Sequence, residues 1–426
     1  MFIKRIIPYI LPLKEKFPSL FALLKRLAKR YLGDVLAVYP RMMGNEIEAV
    51  SEVLKSSDWN MAYGKGLVHE KLENRFAEYI GVNNAVAVNT GGMAIQMSLR
   101  LLGLKPGDEV IHQIDTCSAN AFAVMNAGCT PIFSDISLET FMLLEDDVNK
   151  MISENTKVLM PVHMWGNPER IDMIMNIAQK HNLIVLEDAC LSLGALYHGK
   201  KVGSFGTVGV FSFGCVKPIQ AGEGGMIVTN DDKLAKELRS LRHWGDRTLE
   251  YGVRDTTTLA WNGRMSEIVA AVLLEQLKGY PDHLKKLQEN VSLFAESIKA
   301  YEGIDILQKC DPNCTPAYSQ VVVKINENET GLSKKEIMDK LYTRGISVWH
   351  ANFEPINSLS FYKNNEWGKW ILKGDVEKAR ENYRRCFVNS YKVYTSMGIG
   401  LGKMNFLSKG NVKYLFDQLG NILAEK

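Results

Sequence analysis

A charge excess of either sign is missing from this chain. Its 51 Lys and Arg face 48 Asp and Glu, a net charge of +3, which gives no reason to expect a polyanionic partner, and no nucleic-acid-binding motif occurs. A disulfide framework is missing too. The seven cysteines are odd in number and scattered, which fits a reducing compartment. Cys310 and Cys314 lie close together in CDPNC, but no second pair completes a metal site, so a surface loop is the expected reading there and no metal is expected. Internal repeats and low-complexity tracts are also lacking. Residues 1–32 contain no uncharged run that approaches the length of a membrane span. Lys14 and Lys16 interrupt them before any small-residue cleavage site, which argues against a secretory signal.

What the N-terminal segment does hold is basic charge, with eight basic residues against one acidic residue up to Arg30. Leu20, Leu23, Leu24, Leu27 and Tyr31 follow helical spacing, with Lys25, Arg26, Lys29 and Arg30 mostly beside that stripe. Two expectations stand for it: contact with an anionic membrane surface, or packing on the protein or a second copy of it. The expected location is cytoplasmic, with the inner membrane face as a candidate contact for residues 1–32.

The remaining chain is long enough for one large and one smaller domain, and 46% hydrophobic with 23% charged residues is ordinary for a soluble enzyme. The divisions expected are a basic segment 1–40, a large domain 41–280 and a C-terminal domain 281–426, the last starting near Tyr280-Pro281. Short apolar strands such as Ala85–Val88, Leu183–Leu186 and Val208–Phe213 alternate with helical patterns such as Met93–Leu102. That alternation predicts an α/β fold with a largely parallel sheet covered on both faces.

The stretch 183–230 organises the rest. One predicted strand ends in Glu187-Asp188, and the next ends in a loop that carries Lys217 and runs into Ala221-Gly222-Glu223-Gly224-Gly225. Ligands of open α/β sheets bind at the carboxyl ends of strands. An Asp and a Lys delivered to one crevice suit pyridoxal phosphate, with the amine holding the aldehyde as a Schiff base and the carboxylate pairing with the pyridine nitrogen. Taken singly, such residues are as well explained by a helix cap and a solvated lysine. Upstream, Asn89-Thr90-Gly91-Gly92 follows a strand and opens a helix, a geometry that offers free N–H groups to a phosphate or is simply capped.

As a set, Glu187-Asp188, Gly194, Gly199-Lys200, Gly203-Ser204-Phe205-Gly206, Phe211-Ser212, Lys217 and Ala221–Gly225 resemble the DegT/DnrJ/EryC1/StrS family of sugar aminotransferases. Lys105-Pro-Gly-Asp-Glu-Val-Ile, Trp261–Ser266 and Gly345–Pro355 extend that resemblance over roughly residues 41–420. It implies a fold type I, pyridoxal-phosphate-dependent transferase with a mostly parallel sheet and a smaller α+β C-terminal domain. The implied reaction takes an amino group from glutamate or glutamine and places it on a keto-sugar or keto-cyclitol, in polysaccharide or natural-product biosynthesis.

The resemblance also implies roles. Asp188 and Lys217 are the expected catalytic pair. Thr90, Gly91, Gly92 and Ser212 align with cofactor phosphate ligands, and Asn262 with a residue that reaches the phosphate of a second subunit, implying a homodimer with shared sites. Cys117 stands where an aromatic usually stacks on the ring, with Asp115 and Asn120 adding polarity nearby. Leu191 replaces the usual contact to the phenolic oxygen, and Leu193 a frequent histidine. Trp59, Asn60, Tyr63, His163 and His350 are candidate substrate contacts, while a later histidine of the family pattern aligns with Asn357. Two other functions share this pattern: a dehydratase, which Lys217 argues against, and a weakly catalytic or non-catalytic cofactor-binding scaffold or regulator at the membrane.

Overall fold

The computed structural model describes residues 42–56, 59, 66–214, 216–247, 252, 255–256, 258–306, 313–371 and 373–425. The basic N-terminal segment and the candidate residues Asn60 and Tyr63 lie outside them. Among the described residues no helix is long and apolar enough to cross a membrane.

The central sheet is assembled from β1 (Asn84–Val88), β2 (Glu109–Gln113), β3 (Thr130–Ser134), β4 (Thr156–Leu159), β5 (Ile184–Asp188), β8 (Val208–Ser212) and β9 (Gly225–Thr229). Two short strands, β6 (Leu196–Tyr197) and β7 (Lys200–Lys201), lie between β5 and β8 and belong to a separate small sheet. The spatial order is β1-β9-β8-β5-β4-β2-β3, and β9 alone runs against its neighbours. Every other strand therefore points its carboxyl end to one edge, and the β8–β9 connection returns at that edge. Side chains alternate across the sheet as a strand period of two demands. Phe211, Met226 and Val228 join Phe76, Leu273 and Leu277 on one face, while Val210 and Ile227 join Ile95, Met97 and Leu238 on the other.

The second domain has a four-stranded antiparallel sheet. Its strands are β10 (Ile304–Ile306), β12 (Gln320–Ile325), β13 (Val348–His350) and β14 (Gly398–Gly402), ordered β10-β12-β14-β13, while β11 (Cys314–Thr315) pairs with β6 of the small sheet. The boundary expected near Tyr280-Pro281 falls inside one continuous helix, Glu267–Ile298. Ser266 caps it, its Oγ accepting from Val269 N at 3.3 Å. Leu273, Leu277 and Tyr280 belong to the large-domain core, and Leu287, Val291 and Phe294 to the second core, so one rod enters both. The described residues between 356 and 397 form short helices whose Ile356, Tyr362, Tyr383 and Phe387 pack on Ile114 and Phe133 of the large domain.

Candidate active site

The carboxyl ends of β1, β2, β4, β5 and β8 converge on one edge. Asp188, the last residue of β5, is 3% exposed, with Asn120 Nδ2 donating to its Oδ2 at 2.7 Å and Cys190 N to its Oδ1 at 3.0 Å. Both donors fix the orientation of the carboxylate. The neighbouring Cys190 thiol reports what surrounds it. Burial first, and the Asp188 charge next, hold it well above its ordinary range, while Lys217 draws it down and Cys117 adds to the rise. Asp188, Lys217 and Cys117 thus act on one buried atom and share one neighbourhood.

Glu187 faces the opposite side of β5, as alternation requires. It is fully buried and accepts from Gly203 N at 2.8 Å and from Phe205 N and Gly206 N at 2.7 Å each, with His163 Nε2 at 3.1 Å. Burial would raise this carboxyl, but the His163 bond and the backbone N–H groups outweigh it and hold it below its ordinary value. The Gly-Ser-Phe-Gly motif is therefore a clasp around Glu187. Gly203 lies at φ +85°, and a Cβ on Gly206 would stand 2.6 Å from Val185 O. Replacing Glu187 by alanine leaves these donors buried without an acceptor. The expected loss is about 3–5 kcal/mol of stability, read as a lower urea midpoint at unchanged slope.

His163 belongs to this clasp, which corrects its expected substrate contact. Its ring is buried, Nδ1 accepts from Glu169 N at 2.9 Å, and Nε2 is engaged by Glu187. A ring with both nitrogens occupied and no exposed edge has nothing to offer a substrate.

Thr90 caps the helix Gly91–Leu101, its Oγ1 accepting from Met93 N at 3.1 Å, so the Gly91 and Gly92 N–H groups lie at the open end of that helix. A Cβ on Gly91 would stand 2.6 Å from Ser212 Cβ, whereas one on Gly92 would meet nothing within 4 Å. Gly92 thus faces open space, Gly91 packs on Ser212, and the helix dipole favours an anion there. Across the sheet edge, a Cβ on Gly225 would be 2.3 Å from Thr90 O. Glycine at that position lets the Lys217 loop return beside the phosphate-type cradle.

Lys217 sits on the β8–β9 loop and is half-buried. Its N–H donates to Gly214 O at 3.1 Å, and its carbonyl accepts from Gln220 Nε2 at 3.0 Å and from Lys403 Nζ at 2.6 Å. The loop is further closed by Phe213 N to Gly224 O at 2.9 Å and Ala221 N to Phe213 O at 3.1 Å.

A cleft of about 510 Å³ opens between the two domains beside this loop. Trp165, Leu191 and Val216 line one side, and Trp349, His350, Asn352, Phe353, Tyr394, Lys403 and Met404 are among those lining the other. Trp165 stacks on Phe353 at 5.3 Å, and His350 on Tyr394 at 4.6 Å. Trp165 holds φ +54°, a conformation uncommon for a bulky residue, which concentrates backbone strain at the cleft wall. Leu191 lines the cleft and packs with Val322, Ala351 and Val393, so it seals the seam between domains. Cys117 is exposed at the start of the helix Ser118–Asn126. Asn262 is exposed, and its carbonyl accepts from Asn89 Nδ2 at 3.4 Å, next to Thr90. Trp59 is 48% exposed, donates to Leu54 O at 3.3 Å, and is not among the lining residues.

Sequence reasoning missed Trp165, Trp349, Asn352 and Lys403 as cleft residues, because contacts across a domain seam leave no local pattern. Asn120 was legible only as polarity. Its role as a donor to Asp188 needs the helix Ser118–Asn126 placed over β5.

Behind the cleft, Asp115 is fully buried, with Asn352 Nδ2 at 3.4 Å from Oδ2 and Oδ1 without a hydrogen-bond partner. Burial pushes its carboxyl up to about 7 from 3.8. A raised folded-state value means the ionised form destabilises the fold, so stability is full below pH 4 and falls as pH rises through about 7. Asp115→Asn removes that fall. The difference between variant and wild type in a denaturation series grows from near zero at pH 4 toward a ceiling on the order of 4 kcal/mol at pH 8.

A buried carboxylate, a lysine whose charge reaches the same buried thiol, and a helix start with an open glycine fit pyridoxal phosphate at its ring nitrogen, aldehyde and phosphate respectively. The sheet order, the single reversed strand and this set define a fold type I pyridoxal-phosphate-dependent enzyme. Residues 40–393 match the DegT/DnrJ/EryC1/StrS aminotransferase family, and the chain belongs to it. GDP-perosamine synthase of Caulobacter vibrioides is 39% identical over 268 residues, 63% of this chain and 71% of that protein. Spore coat polysaccharide biosynthesis protein SpsC of Bacillus subtilis is 30% identical over 370 residues, 84% and 92%. Among solved structures, an aminotransferase from Psychrobacter cryohalolentis superposes with a TM-score of 0.79 at 25% identity, covering 91% of this chain and 99% of that one. The chain is accordingly a pyridoxal-phosphate-dependent aminotransferase of the sugar-modifying family.

Proposed function

We propose that the chain transfers an amino group from glutamate or glutamine to a keto-sugar. The observation that carries this reading is that Asp188, at the end of β5, and Lys217, on the loop after β8, both act on the buried Cys190, while their chain neighbours Leu191 and Val216 line an apolar, aromatic cleft. Bound pyridoxal phosphate supplies an aldehyde and an electron sink. Thr90, Gly91, Gly92 and Ser212 would hold its phosphate end, Asp188 would pair with the ring nitrogen, and Cys117 would border the ring. Lys217 Nζ would be the group that holds the aldehyde and, once free, the base that moves a proton at the donor's Cα. Trp165, Trp349 and Phe353 present flat apolar surfaces to the less polar face of a sugar ring, and His350 offers a hydrogen-bonding edge. A relative named for polysaccharide biosynthesis and another named GDP-perosamine synthase support a sugar acceptor. Exposed Asn262 is assigned to the phosphate site of a second copy, which makes the working unit a homodimer.

The visible absorbance spectrum before and after addition of L-glutamate tests the reading. A band of lysine-bound cofactor that converts to the amine form carries it. The reading is lost if the protein binds no cofactor, or if the band stays unmoved by both glutamate and glutamine.

A further inference from the structure

Lys403 is an unusual resident of an active-site seam. It follows β14 of the C-terminal domain, is 6% exposed, lines the cleft, and donates from Nζ to the main-chain oxygen of Lys217 at 2.6 Å. The two residues are 186 positions apart in sequence. Burying a lysine ammonium is costly, and here burial first, then the Lys217 charge, bring it down to about 7. A lysine that merely filled space would be replaced by leucine or methionine without this cost. The bond it makes is to the residue that the proposed function gives the chemistry, whose carbonyl also accepts from Gln220 Nε2 at 3.0 Å.

We propose that Lys403 is a positioning residue for Lys217: the C-terminal domain fixes the cofactor-bearing loop through this hydrogen bond. The inference rests on the assignment of Lys217 as the cofactor-bearing lysine. Its logic is geometric. The β8–β9 loop is closed on itself by Phe213, Gly224 and Ala221, which orders its stem, while the Lys217 peptide unit is anchored at its apex from the other domain. When the C-terminal domain sits on the cleft, Lys217 is held at one setting. When it lifts, the carbonyl loses this donor and the amine loses its register with Asp188.

Removing Nζ therefore slows the step in which Lys217 captures the cofactor, before any substrate is present. The test uses the full chain stripped of cofactor. Pyridoxal phosphate is added, and covalent attachment at Lys217 is followed by absorbance and by borohydride trapping with mass spectrometry. Lys403→Met is expected to slow capture and lower kcat by about tenfold each, the worth of one charge-assisted hydrogen bond. The KM for the amino donor stays within about twofold, and Lys403→Arg, which keeps a charged donor, recovers most of the capture rate. Should Lys403→Met not fold, Lys403→Gln is held to the same criteria.

Unchanged capture with a raised donor KM would overturn the proposal, because Lys403 would then be a carboxylate-binding residue. Unchanged capture with unchanged kinetics would overturn it as well. Failure of the wild-type chain to capture cofactor is a different result, since it removes the assignment of Lys217 itself.

Discussion

Lys217→Ala is expected to abolish covalent cofactor attachment and to lower turnover by at least about 10⁴-fold, since the proposed function gives one side chain both the nucleophilic and the proton-transfer role. The fold survives the change. Lys217 is half-buried on a loop whose stem is closed by backbone bonds, and alanine leaves those bonds and the Gln220 and Lys403 contacts to its carbonyl in place. Borohydride trapping followed by peptide mass spectrometry reads the first effect, and steady-state kinetics with added cofactor the second. Cofactor bound without a covalent link in the variant is the expected spectrum. A residual lysine adduct elsewhere on the chain, with turnover retained, would remove Lys217 from the mechanism.

Asp188→Asn separates the other half of the pair. The isosteric amide keeps the volume at the end of β5, and the Cys190 N–H keeps an acceptor, but the negative charge proposed to face the ring nitrogen is gone. Electrostatic stabilisation supplied by one preorganised group is worth about 10²–10³-fold in rate. Turnover falls by that factor while Lys217 still captures the cofactor, so the two variants differ in kind: one loses the bond, the other loses what the bond is for. Measuring trapping and kcat on both variants checks this. Loss of capture in Asp188→Asn equal to that of Lys217→Ala would show that Asp188 serves placement alone.

How much of this was legible in the sequence depends on whether the information is local. Strands β5 and β8 announced themselves as short apolar runs ending in polar or glycine-rich segments, while Asp188 and the downstream Lys217 stood out only through the family resemblance. The helix start at Thr90 was equally visible, because a cap and a glycine pair are a local signal. His163 was misread for the complementary reason. In sequence it is a histidine beside a strand end, a natural substrate contact, and only the fold shows its two nitrogens committed to Glu187 and Glu169. The helical segment 356–397 carries mixed short patterns without a long amphipathic period, and its anchors, such as Tyr383 Oη donating to Pro131 O at 2.8 Å, span more than two hundred positions. The aromatic cleft wall is distributed in the same way, with Trp165 from one domain stacked on Phe353 from the other.

The helix Glu267–Ile298 has a mechanical meaning. A rod whose first half is built into one core and whose second half is built into the other leaves the two bodies without a slack tether. The natural place for it to flex is Pro281, where a ring replaces a backbone donor in mid-helix. Any breathing of the cleft therefore becomes an angular bend at that point, small in amplitude and spring-like in its return. Melting either core strips half the rod of its packing and exposes the rest. The two bodies should accordingly lose their structure in a single calorimetric transition, as parts of one machine frame.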